Sequence, residues 1–154
     1  MGFPIDFTHR IEARGALSAP GAQDRFLRSL GSQLERRKAR AVRIEGSRLE
    51  FKGPYFFLAS NWNMLAGVSN GQVIVEDGEA GATITYRLSF KWMFWIAIVL
   101  FCVLETVLVI NSAATGGMGA FFAVGFPLLV GVNIATTLLR FNDLVQSQVR
   151  APQF

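Results

Sequence analysis

The sequence predicts an α+β fold: an N-terminal antiparallel sheet with one covering helix, followed by a two-helix transmembrane hairpin. Three patterns carry this expectation. Short stretches before Phe90 alternate apolar and polar residues, the signature of half-buried strands. One stretch near residue 20–37 has apolar residues at helical spacing, and two long runs after Lys91 are apolar on every side. The expected divisions are a cytoplasmic domain over 1–90, a hairpin over 91–140 with helices at 92–111 and 118–139, and a cytoplasmic tail over 141–154.

Charge follows the same division. Of 15 Lys+Arg, 13 lie in Met1–Lys91, and of 11 Asp+Glu, 9 lie there, so the first part carries the whole net charge of +4. That asymmetry excludes a uniform soluble globule, and a lone Cys102 excludes a disulfide scaffold.

The first strand reads from Ile5 to Ile11, with Ile5, Phe7, His9 and Ile11 on one face and Asp6, Thr8 and Arg10 on the other. A helix follows from about Pro20 to Arg37. Ser18 is its expected cap, and Phe26, Leu27, Leu30 and Leu34 form its apolar stripe. Gly46-Ser47 is a two-residue hairpin turn. Pairing outward sets Glu45 against Arg48, Ile44 against Leu49, Arg43 against Glu50 and Val42 against Phe51, so each pair matches in character.

Gly53-Pro54 breaks the chain, and Tyr55–Ala59 reads as a short strand. Asn70-Gly71 reads as a second hairpin turn, setting Val68 against Val73 and Ala66 against Val75, with Trp62 and Met64 on the same face. A last strand over Thr83–Phe90 runs into the first apolar helix. About five antiparallel strands are expected after the helix, in a sheet standing on a bilayer surface.

Trp92–Ile110 holds one ionisable group, Glu105, and Met118–Leu139 holds none. About 20 apolar residues span a hydrocarbon core, so both runs are long enough. The alternative, two buried helices of a soluble core, is disfavoured because neither run shows a polar stripe. Residues 1–30 carry no apolar signal region. Arg87 and Lys91 flank one helix and Arg140 the other on the same side, while the 111–117 link has no Lys or Arg. The positive-inside rule then puts both termini in the cytoplasm, at the inner membrane of a bacterial cell.

Trp92 and Trp95 fall where an interfacial aromatic belt sits. Arg25, Arg28, Arg36, Arg37 and Lys38, with Arg40 and Arg43, form a basic set suited to anionic lipid headgroups. The plainer reading of that set is a solvated helix face followed by a strand whose charges pair across its hairpin. No stacking aromatics interleave these residues, so nucleic acid is not an expected partner.

Glu105 is costly at mid-membrane, by about 2.5–3.5 kcal/mol on insertion scales. It reads as protonated or snorkelling, as meeting a polar group of another subunit, or as part of an ion path. Asn133 and the small-residue pairs Gly131/Ala135 and Gly119/Ala123 suit close helix–helix contact, within the hairpin or with another chain. Pro127 with Gly125 is expected to kink the second helix.

Catalytic signals are sparse. His9 and Cys102 sit in different parts of the chain, no zinc spacing occurs, and neither GxxxxGK nor GxGxxG is present. His9 is expected as a core or edge histidine and Cys102 as an apolar filler. No cofactor, metal or enzyme activity is expected. The expected function is a non-catalytic accessory or assembly subunit of a larger membrane complex, with lipid and other membrane subunits, or a second copy, as partners. The alternative is a membrane-tethered sensor or binding module whose sheet domain takes a small ligand or acidic partner.

Overall fold

The computed structural model describes residues 6–13, 17, 19, 21–54, 65, 67–78, 81–110 and 117–150. Within the helices, the side chains of residues 104, 105, 108–110, 117–124 and 126 are outside the description. The elements run β1 (Asp6–Ala13), α1 (Ala22–Arg36), β2 (Arg40–Glu45), β3 (Arg48–Lys52), β4 (Asn70–Gly78), β5 (Gly81–Ser89), α2 (Lys91–Ile110) and α3 (Gly117–Arg150). The fold is α+β. One antiparallel sheet has the order β1-β5-β4-β3-β2.

The β2–β3 hairpin forms because Gly46 takes a left-handed φ of 58°. Glu45, Ile44 and Arg43 face Arg48, Leu49 and Glu50 as the sequence predicts. The fourth expected pair, Val42 with Phe51, is not made. The register slips and Arg40 faces Lys52, so β2 carries one extra residue, a β-bulge. Ala41, inside the bulge, has φ 49°.

Asn70-Gly71 is not a turn. It opens β4, where Gly71 faces Phe51 on one side and Leu88 on the other. A Cβ on Gly71 would lie 2.2 Å from Phe51 Cζ, so glycine is there to admit a ring. Val73 therefore faces Leu49 and Tyr86 rather than Val68. The strand expected at Tyr55–Ala59, and Trp62, Met64 and Ala66, lie outside the described residues, as do Ser18 and Pro20. Gly21, with φ 74°, occupies the N-cap of α1.

α1 and α3 cover one sheet face. Phe26, Leu27, Leu30 and Leu34 from α1 are fully buried with Leu49, Phe51, Ile84 and Leu88 from the sheet. α3 runs 34 residues to Arg150, so residues 141–150 continue the helix, and Phe141 and Val145 are fully buried in the same core. Phe141 stacks on Phe51 with centroids 5.9 Å apart, and meets Tyr86 at 5.1 Å. Ser29 of α1 donates to Gln148 Oε1 at 2.6 Å, tying the two helices. The sheet domain thus draws core residues from both later helices: Met93 near the start of α2 and Phe141, Leu144 and Val145 of α3.

Pro127–Arg150 within α3 is long and apolar enough to cross a membrane, by length and composition. In α2 the described apolar stretch, Lys91–Val103, is shorter than a span. Among the described residues, membrane association therefore rests on this one candidate helix.

Candidate functional site

β5 ends at Ser89, Phe90 is fully buried, and α2 begins at Lys91. Ser69 joins the two elements. Its N–H donates to the Ser89 carbonyl at 2.7 Å, and its Oγ accepts the Trp92 N–H at 2.8 Å, satisfying a first-turn donor of α2. Phe7 meets Phe90 edge-on with centroids 5.7 Å apart. These contacts fix the direction in which α2 leaves the sheet.

At this end of the sheet a single cross-strand row reads Asp6, Ser89, Asn70, Lys52, Arg40. The C-terminal turn of α1 leads into it. Lys38 N–H donates to Glu35 at 2.8 Å and Ala39 N–H to Leu34 at 2.9 Å. This is a Schellman end, with Lys38 at φ 65° where glycine is usual. Arg36, Arg37 and Lys38 thus lie at the C-terminal end of α1 where the chain enters β2, and Arg40 and Lys52 share a groove with the first turns of α2. Arg25 and Arg28 lie about 12–16 Å away along α1, and Arg28 is paired with Asp24 at 2.9 Å.

A groove of about 970 Å³ opens here, between the β2–β3 edge and the first turns of α2. Arg40, Arg43 and Lys52 line one side, Asn70 its floor, and Trp92 and Ile96 the other. Arg40 Nε donates to the Gly53 carbonyl at 2.9 Å. Glu50 is engaged by Arg48 on its own strand rather than by Arg43, the expected partner opposite.

Beyond the groove, both helices expose apolar residues among those described. Trp92 and Trp95 are 70% and 61% exposed, and Val99, Leu100 and Val103 follow along α2. On α3, Leu128, Leu129, Val132 and Leu139 are exposed. Thr106 and Thr136 turn their hydroxyls back to the carbonyls of Cys102 and Val132, at 2.7 and 2.8 Å. Each satisfies its own polar group within its helix.

Asn133, Gly131 and Ala135 are exposed, and among the described residues a Cβ on Gly131 would meet nothing within 4 Å. Cys102 is exposed on α2. Glu105 lies in α2 and Gly119 and Ala123 in α3, but their side chains are outside the described set. His9 is exposed at the sheet margin, its ring 5.4 Å from that of Tyr86.

Among the described residues, two groups have shifted acidities. The Ser89 hydroxyl and the Arg87 guanidinium, 2.6 Å away, hold the Asp6 carboxyl below the usual carboxylate range. Burial, helped by the Asp143 charge, pushes the Tyr86 phenol up to about 12. Tyr86 is a strand residue donating its hydroxyl to Asn142 of α3 at 3.4 Å, so it serves the helix–sheet contact. Among the described residues, no group of three His, Cys, Asp or Glu could hold a metal ion.

Sequence reasoning missed the C-terminal half of this arrangement. The signal was present: Leu138, Phe141, Leu144, Val145 and Val149 recur at helical spacing. No family model, no curated protein and no solved structure matches this chain.

Proposed function

We propose that this is a two-pass protein of the bacterial inner membrane, with both termini cytoplasmic, acting as a non-catalytic accessory or assembly subunit of a larger membrane complex. The carrying observation is the bare apolar surface of α2 and α3, continuous with a filled domain core. Exposed apolar area of this extent marks a lipid or protein contact surface. Asn133 lies on that surface beside Gly131, where a helix of another subunit can approach closely and take its amide hydrogen bonds. Because α3 passes unbroken into the core, what binds its apolar part is mechanically joined to the sheet.

Photo-cross-linking from Val132 and Leu128, after extraction in mild detergent, tests this reading. The expected result is cross-links to another polypeptide and a mass above one chain plus micelle. A lone monomer without such cross-links overturns it. The second reading, a membrane-tethered binding module, is favoured by the groove at the root of α2. The space between sheet and helices offers it little, being occupied by fully buried Phe26, Phe51 and Phe141.

A further inference from the structure

The β2 bulge decides which face Arg40 joins. In a regular hairpin Arg40 would share the inward face of Val42 and Ile44. The extra residue instead places Arg40 opposite Lys52, on the outward face with Arg43. Two non-glycine residues close by, Lys38 and Ala41, hold left-handed backbones with φ 65° and 49°. Such conformations cost about 1 kcal/mol or more each and persist where the surroundings impose them. The chain therefore accepts local strain on both sides of Arg40, and the result is a cationic wall facing Trp92 and Ile96 across the groove.

We propose that this groove seats an anionic phospholipid, its phosphate against Arg40, Arg43 and Lys52 and an acyl chain along Trp92 and Ile96. The proposal rests on the membrane reading above and names the lipid contact of that surface. The two walls match the two halves of the molecule. Guanidinium and ammonium groups take phosphate oxygens through charge-assisted hydrogen bonds. The indole sits at headgroup depth, and α2 beyond it is apolar and exposed through Val99, Leu100 and Val103. A volume of about 970 Å³ takes a headgroup and the upper part of a chain, leaving the remainder along the helix. Arg48 is occupied by Glu50 and so contributes little net charge.

The test uses the full chain in neutral detergent, with phosphatidylglycerol or phosphatidylcholine of matched chains added and retention read by native mass spectrometry. Phosphatidylglycerol is expected to be retained at least tenfold more strongly. The paired change Arg43→Gln/Lys52→Gln is expected to remove that preference. Arg40 is left intact because it holds the Gly53 carbonyl. The control pair Arg25→Gln/Arg28→Gln, on the far part of α1, is expected to keep the preference, with circular dichroism confirming that both variants fold. Equal retention of the two lipids, or an unaffected Arg43/Lys52 variant, overturns the proposal. So does stabilisation by inorganic phosphate alone without phosphatidylglycerol retention, which would assign the groove to a free anion. Incorporation into phosphatidylcholine nanodiscs separates the two readings. Protein that enters the discs but shows no lipid preference loses only this site, whereas protein that fails to enter loses both.

Discussion

Gly71→Ala adds one methyl group at the centre of the sheet, and the structure says how badly it fits. The new Cβ would lie 2.2 Å from Phe51 Cζ and 2.9 Å from Leu88 Cδ2, against a practical minimum of 3.0 Å. The Phe51 ring would have to retreat by about 0.8 Å to reach even that minimum. Its retreat is opposed by Phe141, stacked 5.9 Å away at an interplanar angle of 19°. Overpacking of this kind costs about 1–3 kcal/mol. For a chain of this length each kcal/mol is about 2–4 °C in Tm. The assay is equilibrium urea unfolding of the full chain in mild detergent, run as a double-mutant cycle with Phe51→Leu. If the ring is the obstacle, the double variant is less destabilised than the sum of the singles, by about 1 kcal/mol or more. Were Gly71 instead needed for a left-handed turn, shortening Phe51 would relieve nothing. Additive effects would therefore refute the strand assignment of Asn70-Gly71.

Further expectations follow from the same geometry. Phe141→Ala should cost about 3–5 kcal/mol in the urea assay, while Val132→Ala, on the exposed helix surface, should stay within about 0.5 kcal/mol. Ala41→Gly should raise Tm by a few degrees, worth about 1 kcal/mol, because glycine carries no left-handed penalty. Tyr86 is held at about 12 by burial and by Asp143. A raised folded-state value means its contribution is fully present below about pH 10 and is lost between about 10 and 12, so Tm should fall there and Tyr86→Phe should flatten the fall. Asp6 is shifted the other way, so its contribution is present above the ordinary carboxylate value and fades as pH falls through its folded-state value. Asp6→Asn should therefore blunt the acid-side loss, read as Tm against pH.

Local contacts were the readable part of this sequence. The Gly46-Ser47 hairpin is specified by residues within a few positions of each other, and three of its four expected pairs form. The fourth fails at a bulge that alternation alone does not encode. Asn70-Gly71 shows the opposite failure: a strong local turn signal is overruled by Phe51, a residue distant in sequence whose ring needs the space. The basic residues were legible as a set, but not their division between the two ends of α1. That division depends on where β2 returns beside β3. The end of α3 carried a helical repeat, masked by the contrast between a long apolar run and a shorter, more polar segment after Arg140.

Length gives α3 a property that neither of its halves has alone. At about 1.5 Å per residue the helix is roughly 50 Å long, and Phe141 sits some 36 Å from its beginning at Gly117. The helix is gripped toward its C-terminal end by Phe51 and Tyr86 of the sheet and by Ser29 of α1, and its packing on the core extends back through Leu138, Ile134 and Val130. A contact made on the exposed Leu128–Val132 stretch is thereby carried by one continuous helix to the Phe51–Tyr86 surface of the sheet.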